Sequence, residues 1–164
     1  MGLDNGIVLR TKKRFEVLKK VGIEYKVKNV FVTYDPKTEQ EIETPTDLIY
    51  EYEVTYWRKC WNIREIVRDV TGMNFDDGGD TYLNRGEIAK IIKGLYVKNS
   101  PEIWNRDCWY GDTIWDAEEM HITCRDDRNS YIYSDMRKLA ALALVLKELE
   151  KDEDSYICWF YDSY

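Results

Sequence analysis

The sequence predicts a single α+β domain in which about three helices pack on a mainly antiparallel sheet. Three observations predict this fold. Apolar and polar residues alternate in the first third of the chain, as in strands with one solvated face. Later stretches space their apolar residues as helices do. The run Tyr156–Tyr161 is apolar and aromatic throughout, which is typical of a central strand buried on both faces.

Length and composition agree with one domain. The chain has 164 residues, of which 44% are hydrophobic and 34% charged, as expected for a globular protein with a sizeable core. Within that domain, residues 1–54 form a mostly β portion and residues 55–164 an α+β portion. No window approaches the roughly 18 apolar residues of a membrane-spanning helix, so we expect no membrane partner.

The N-terminal portion begins with a turn signal and a short predicted strand, Ile7–Leu9. A short basic helix follows Thr11 and is ended by Gly22. This helix region contains the main basic cluster of the chain, which we interpret as a solvated helix face. The cluster consists of Lys12, Lys13, Arg14, Lys19 and Lys20.

Three further strand runs are predicted before the main helix. Residues 23–28 alternate, residues 30–34 are β-prone, and the chain turns at 35–38. The stretch 44–47 contains a proline and predicts another break. Residues 48–54 then predict a strand that feeds the main helix, although the spacing of Leu48, Tyr52 and Tyr56 also allows the helix to extend back to Leu48.

The main helix is predicted over 56–70 and ended at Gly72, with a core stripe of Tyr56, Cys60, Ile63, Val67 and Val70. The Gly/Asp-rich stretch 74–80 predicts a turn or hairpin, since a calcium loop would need a glutamate where Arg85 stands.

Two later helices are predicted over 85–97 and 135–150. Asn84 and Glu87 have the spacing of a capping box for the first of them. Ser100-Pro101 is a further helix-start signal, and Ser134 is the predicted cap of the last helix. Its apolar stripe consists of Leu139, Leu142, Val145, Leu146 and Leu149.

The predicted binding surface lies on a second line of the main helix, here called the Trp/Arg shoulder: Trp57, Trp61, Arg64 and Arg68. Indoles stack on flat bases, and guanidinium groups bind anions. Further candidate ligand-binding residues are Arg58, Lys59 and Arg85. The alternative is that the indoles complete the core edge while the arginines stack on them.

A second candidate region is the aromatic segment 104–115. It is interpreted either as core and hairpin packing or as a ligand-facing loop. Its candidate binding residues are Trp109, Tyr110 and Trp115. The charged stretch that follows contains a possible hairpin at 121–124.

Charge and cysteine patterns exclude several site classes. The net charge is 24 − 31 = −7, so we expect no direct nucleic-acid binding, whereas a basic protein or a locally held small anion remains compatible. The four cysteines form no CxxC pair and a single histidine is present, so we expect no metal, no cofactor and reduced thiols, with Cys60 and Cys158 buried.

The sequence also weighs against an enzyme, although it leaves that class open. No motif pairs a nucleophile with a base, and no GxxxxGK phosphate loop occurs. Acidic residues such as Asp76, Asp80 and Asp112 are plentiful, but their spacing singles out no magnesium site. We therefore assign no catalytic residue.

The order of several motifs resembles a group of small uncharacterised phage and prophage proteins. The motifs are the Tyr-Trp-Arg-Lys block at 56–59, Tyr82-x-x-Arg85 at a helix start, Tyr110-Gly111-Asp112-Thr113-x-Trp115, a Leu-rich helix and an aromatic C-terminal strand. The likeness covers roughly residues 50–164. It implies a phage origin and a cytoplasmic site of action in the host cell.

Small phage accessory proteins often antagonise bacterial defence, which the resemblance extends to this chain by analogy. Together with the Trp/Arg shoulder, it predicts a non-enzymatic counter-defence protein that sequesters a nucleotide-like small-molecule signal. The alternative is an inhibitor that docks on a host defence protein, including as an acidic mimic of nucleic acid. An enzyme of unknown reaction is the third class, and a homo-oligomer is left open.

Overall fold

The computed structural model describes residues 4–58, 60–74, 78–104, 113–116, 121–124, 130–151 and 156–163. These residues form a five-stranded antiparallel sheet, helices that pack on it and a separate two-stranded hairpin, which confirms the α+β prediction. The elements are β1 (Asp4–Thr11), α1 (Glu16–Lys20), β2 (Tyr25–Asp35), β3 (Gln40–Arg58), α2 (Trp61–Thr71), β4 (Gly79–Tyr82), α3 (Arg85–Trp104), β5 (Thr113–Asp116), β6 (His121–Cys124), α4 (Ser130–Leu149) and β7 (Ile157–Ser163).

Strand β1 is the centre of the sheet, whose strand order is β2-β3-β1-β7-β4. The predicted short strand at Ile7–Leu9 is thus the middle of an eight-residue strand that pairs with β3 on one edge and β7 on the other. Ile7 and Leu9 are fully buried. The N-terminal residues therefore join the middle of the chain to its C-terminal strand.

Strands β2 and β3 form one long hairpin, which corrects two predictions. The runs at 23–28 and 30–34 belong to a single strand, and the predicted break at 44–47 lies inside β3. Pro45 pairs opposite Val30, next to a register shift, in a part of β3 that has no pairing to β1. Proline is tolerated at such edge and bulge positions because the ladder requires no N–H donor there. The predicted turn at 35–38 is confirmed.

Strand β7 is central in the sheet but is not buried on both faces as predicted. Cys158, Phe160 and Asp162 are buried, whereas the residues between them are partly exposed. The alternation arises because the core, with the residues of the described helices, lies on one face of the sheet, here called the helix-side face. The opposite face is called the open face.

The open face carries a ladder of charged and aromatic side chains. Arg10 Nε lies 2.5 Å from Glu51 Oε2, and Lys28 Nζ lies 3.1 Å from the same oxygen. Burial raises the pKa of Glu51, but the hydrogen bonds and charges of Arg10 and Lys28 outweigh it and hold that pKa below its ordinary value. The Arg10 guanidinium also lies 4.8 Å from the centre of a Trp159 ring. This face is therefore covered in part by its own ion pairs.

Helix α2 begins at Trp61, five residues later than predicted. β3 continues to Arg58 because its backbone pairs with β1 as far as Asp4. Cys60 has an extended backbone at the helix N-cap. Consequently Tyr56 lies on β3 and is 49% exposed, so it was wrongly assigned to the core stripe. Cys60 packs against the core but is only half-buried, not buried as predicted. Ile63 and Val67 are buried as predicted.

Helices α3 and α4 are longer than predicted. The α3 backbone runs through Ser100-Pro101 to Trp104, so this pair does not start a new helix. Pro101 cannot donate the backbone hydrogen bond to residue 97, yet the helix continues past it to Trp104. Helix α4 begins at Ser130, ahead of the predicted cap Ser134. Its five stripe residues, four leucines and one valine, are all buried as predicted.

The predicted start of the short basic helix at Thr11 is wrong, because Thr11 ends β1 and α1 begins at Glu16 with Phe15 at its N-cap. Two other end signals are confirmed. The Asn84 backbone N–H donates to Glu87 Oε2 and the Glu87 N–H donates to Asn84 Oδ1, both at 2.9 Å, which is a complete capping box. Gly72 ends α2 with a left-handed φ of 74°. Residues 121–124 pair with β5 as a hairpin. Among the described helices, none is long and apolar enough to cross a membrane.

One hydrophobic core unites the two portions of the chain. It takes Leu9 and Leu18 from the β portion, Ile63 and Ile91 from α2 and α3, and Phe160 from β7. At Gly94, α3 packs tightly against α2, since a Cβ at Gly94 would lie 2.8 Å from Ile66 Cγ2. The mid-helix glycine therefore has a packing reason.

We expect Gly94→Ala to lower the free energy of unfolding by about 1–3 kcal/mol, because the added methyl group overpacks the α2–α3 contact. Urea unfolding checks this value. Gly86→Ala in the same helix is the matched control: its nearest neighbour would be Asn84 Oδ1 at 3.4 Å, so stability should be unchanged or higher. Equal effects of the two variants would contradict the close packing.

Candidate functional site

The predicted Trp/Arg shoulder is divided between two elements. Trp57 lies on β3, whereas Trp61, Arg64 and Arg68 lie on α2. The Trp57 indole Nε1 donates to Asp135 Oδ2 at 3.0 Å, which links the sheet to α4. Burial raises the pKa of Asp135, although this hydrogen bond opposes the increase. Trp57 thus has a structural partner within the fold.

The α2 residues of the Trp/Arg shoulder are at least partly exposed, but some of their contacts already stabilise the fold. Trp61 is 50% exposed, and the Arg64 guanidinium lies 5.2 Å from the centre of its ring. Arg64 Nε also lies 2.9 Å from Asp162 Oδ2 on β7. Arg68 is exposed, 4.0 Å from Asp69. The stacking that would hold a ligand is therefore already used by Arg64 on one side of Trp61.

The other predicted residues that the structure describes lie on three different elements. Arg58 is exposed at the end of β3, and Arg85 is half-buried at the start of α3. Trp115 lies on β5, where its backbone pairs with Ile122. Lys59, Trp109 and Tyr110 lie outside the described residues.

A buried polar cluster lies beneath α2 on the helix-side face. Asn5, Thr55 and Asp162 are at most 4% exposed, and Asn5 and Asp162 are paired residues of β1 and β7. The Asn5 amide donates to the Cys60 carbonyl oxygen at 3.2 Å, at the α2 N-cap. Burial raises the pKa of Asp162 above its ordinary value, while Arg64 and Asn5 oppose the increase. The hydrogen bond from Asn5 and the ion pair between Arg64 and Asp162 link α2 to the sheet.

A cavity of about 330 Å³, here called the α1 cavity, opens between α1 and the start of β2. Its size lies at the small end of the range of ligand sites. Two cations, two carboxylates and two tyrosine rings line it: Arg14, Lys19, Glu16, Glu24, Tyr25 and Tyr52. Aromatic and basic groups therefore converge on this concavity.

The strand register builds the aromatic wall of the α1 cavity. Tyr25 pairs directly with Tyr52 across β2 and β3. The Tyr25 ring meets Tyr50 edge-on at 5.1 Å and Tyr52 at 5.7 Å between centroids. The Phe15 N–H donates to the Tyr52 hydroxyl at 3.1 Å. These contacts hold the rings in place, while Tyr25 remains 40% exposed.

The cationic edge of the cavity is supplied by the segment before α1. The Arg14 guanidinium lies 5.9 Å from the centre of the Tyr50 ring, and its Nη1 donates to the Tyr25 hydroxyl at 3.5 Å. Lys19 on α1 is exposed at the same rim. An aromatic face beside two cations can bind a flat anionic molecule through stacking and charge-assisted hydrogen bonds.

The sequence contains both groups of residues that form this site, the basic cluster and the tyrosines, but it does not show that they lie close together. The basic cluster had been interpreted as a solvated face, and the alternation of Ile23, Tyr25 and Val27 predicted only a strand. Whether Tyr25 meets Tyr52 depends on how β2 pairs with β3, which the alternation pattern of either strand alone does not specify.

A second cavity, of about 450 Å³, lies between the start of α3 and β7. Glu87 in its wall is committed to the capping box. Burial raises the pKa of the Cys158 thiol to about 12, so this cysteine is not a nucleophile at neutral pH. Within the described residues, no three acidic, histidine or cysteine side chains are grouped to hold a metal ion.

No known protein family, curated protein or solved structure significantly matches this chain. A functional proposal for this protein therefore depends on the geometry of the α1 cavity and of the α2 surface.

We expect Arg64→Ala to destabilise the protein by about 3–5 kcal/mol at neutral pH, because it leaves the buried Asp162 carboxylate without its cation. Loss of Arg64 raises the pKa of Asp162 further. A carboxyl group whose pKa is higher in the folded than in the unfolded state stabilises the fold as the pH falls through that pKa. The destabilisation should therefore shrink on acidification.

Urea unfolding of Arg64→Ala between pH 7 and pH 4 measures this dependence relative to the unsubstituted protein. The exposed Arg68→Ala is the matched control, and it should change stability little at either pH. A loss for Arg64→Ala that stays constant with pH would exclude Asp162 as the group left unpaired.

Proposed function

We propose that this protein is a non-enzymatic binding protein for a small anionic ligand that carries an aromatic base. The observation that supports this proposal is the α1 cavity, where the exposed Tyr25 ring lies beside Arg14 and Lys19. The ring would stack on the base, and the two cations would contact the phosphate. Glu16 and Glu24 at the rim would accept hydrogen bonds from sugar hydroxyls or from the exocyclic amine of a base.

The biological role follows from the resemblance to small phage proteins. We propose that the chain is a phage counter-defence protein that sequesters a nucleotide signal in the host cytoplasm. Sequestration requires binding but no catalysis, which fits a cavity whose walls offer stacking and charge. The α1 cavity is favoured over the α2 surface because Arg64 already stacks on Trp61 there.

A second candidate is docking on a host defence protein. The observation that favours it is the open face of the sheet, where Tyr82 is 76% exposed, Tyr56 is 49% exposed and Ile157 is 38% exposed. Exposed aromatic and aliphatic groups of this kind anchor protein interfaces. The net charge of −7 favours a basic partner.

We expect Tyr25→Ala and Arg14→Ala each to weaken nucleotide binding by roughly fivefold or more, because a base–aromatic stack contributes about 1–3 kcal/mol and a charged hydrogen bond about 1.5–3 kcal/mol. Isothermal titration with linear and cyclic adenine and guanine nucleotides measures the affinity. Thermal midpoints of each variant verify that folding is retained.

Trp61→Ala and Arg68→Ala are the matched controls on the α2 surface, and they should leave the affinity unchanged. The reverse result, loss with the α2 variants alone, would move the site to α2. If the unsubstituted protein binds no nucleotide but retains a basic host protein in stoichiometric amount, docking replaces sequestration.

A further inference from the structure

One aromatic ring on the open face lies across the backbone of the central strand. Tyr161 of β7 pairs with Gly6 of β1, which pairs on its other edge with Tyr56 of β3. A Cβ added at Gly6 would lie 2.8 Å from both Cε1 and the hydroxyl oxygen of Tyr161. The Tyr161 ring therefore occupies the space that a β1 side chain would fill, and it remains partly exposed.

Carboxylates surround this ring. Asp80 pairs opposite Tyr161 on β4, Glu53 is exposed on β3, and Asp4 accepts a hydrogen bond from the Tyr56 hydroxyl at 3.0 Å. Burial, followed by the proximity of Glu53, Tyr56 and Asp4, raises the pKa of Tyr161 to about 12, so its hydroxyl stays protonated at neutral pH. These five residues are here called the Tyr161 surface.

The neighbouring row of the open face shows how the chain fills a similar arrangement. The Arg10 guanidinium of β1 lies 4.8 Å from the centre of a Trp159 ring on β7, and its Nε lies 2.5 Å from Glu51 of β3. An aromatic ring on β7 and a carboxylate on β3 thus hold a cation that β1 supplies. At the Tyr161 surface β1 supplies Gly6 instead, and within the described part of the chain no guanidinium stacks on the Tyr161 ring.

The Tyr161 surface keeps an excess of negative charge. Its three carboxylates have one arginine beside them in the described strands, Arg58, which pairs opposite Asp4. The other cations of this face, Arg10 and Lys28, are held by Glu51. A second copy of the chain is not the complement, because it has the same net charge of −7 and presents the same carboxylates. The complement is a basic group from another molecule.

We propose that the Tyr161 surface docks a basic segment of a partner protein and holds one of its arginine side chains over the Tyr161 ring, as Arg10 is held over Trp159. Glu53 accepts hydrogen bonds from the guanidinium group, in the role that Glu51 has for Arg10. This inference rests on the second candidate role, docking on a protein, and is independent of nucleotide binding in the α1 cavity.

Arginine is the expected cation because its guanidinium group is planar. It stacks on a ring and donates parallel hydrogen bonds to a carboxylate, whereas the ammonium group of lysine is a compact point charge. A single exposed cation–π contact is weak, so the docked segment needs further contacts. Tyr82 and Ile157 on the same face are 76% and 38% exposed and offer them.

Fluorescence anisotropy of the full chain at low salt with labelled hexa-arginine, hexalysine and hexacitrulline peptides tests the proposal. We expect hexa-arginine to bind roughly fivefold or more tightly than hexalysine, and hexacitrulline, which keeps the shape without the charge, not to bind. Equal affinities of the arginine and lysine peptides would overturn the proposal, because net charge alone would then explain the binding. Absence of binding up to millimolar peptide would also overturn it.

Matched variants locate the docking site. Glu53→Gln and Glu148→Gln each remove one exposed negative charge, the first on the Tyr161 surface and the second on α4. Glu53→Gln and Tyr161→Leu should each weaken hexa-arginine binding by roughly fivefold or more, whereas Glu148→Gln should change it little. Equal losses for the two glutamine variants would refute the assignment. If thermal midpoints show that Tyr161→Leu does not fold, Glu53→Gln, at an exposed position, decides alone.

Two further measurements separate this inference from the proposed functions. Neither Glu53 nor Tyr161 lines the α1 cavity, so nucleotide affinity should be the same in Glu53→Gln as in the unsubstituted chain. If a basic host protein is retained by Glu53→Gln and Tyr161→Leu as tightly as by the unsubstituted chain, docking stands as a role but the Tyr161 surface is excluded as its site.

Discussion

The pairing of β1 on both of its edges is the constraint on which the rest of the structure depends. β1 receives β3 from the middle of the chain and β7 from its end. The five-stranded sheet therefore forms only when strands separated by most of the sequence have paired. Ile7 and Leu9, fully buried at this junction, also form the floor on which the helices pack. The α1 region and α2 are each positioned by their attachment to this floor.

Because the helices cover only one face of the sheet, the polar side chains on the two faces have different roles. On the helix-side face, the polar groups Asn5, Thr55 and Asp162 are buried, and Asn5 and Asp162 contact the N-cap and Arg64 of α2. On the open face, charges such as Arg10 and Glu51 pair with each other at the surface. Neither arrangement forms a reactive centre among the described residues. The α1 cavity differs because its aromatic wall is fixed by strand pairing while its cations remain at the rim.

Local sequence patterns predicted much of the fold, and the wrong predictions of element boundaries share one cause. Caps and turns were correct at Asn84, Gly72 and 35–38, because these signals involve groups within a few residues of each other. The start of α2 was wrong because Tyr56 and Trp57 fit either a strand or a helix. Pairing with β1, a partner some fifty residues away in the sequence, decides for the strand. The Trp/Arg shoulder was divided for the same reason.

The sequence by itself determined the α+β class and the one-domain core. Those properties depend on composition and on periodicities of two or about 3.6 residues, which are local. Only the tertiary structure decided which side chains meet at the α1 cavity. The register of β2 against β3 brings Tyr25 to Tyr52, and the fold of the segment before α1 sets Arg14 against both β2 and β3. A shift of one residue in that register would turn Tyr25 to the open face, away from Tyr52. The register depends on the turn and on the buried face of both strands together, which neither strand segment specifies alone.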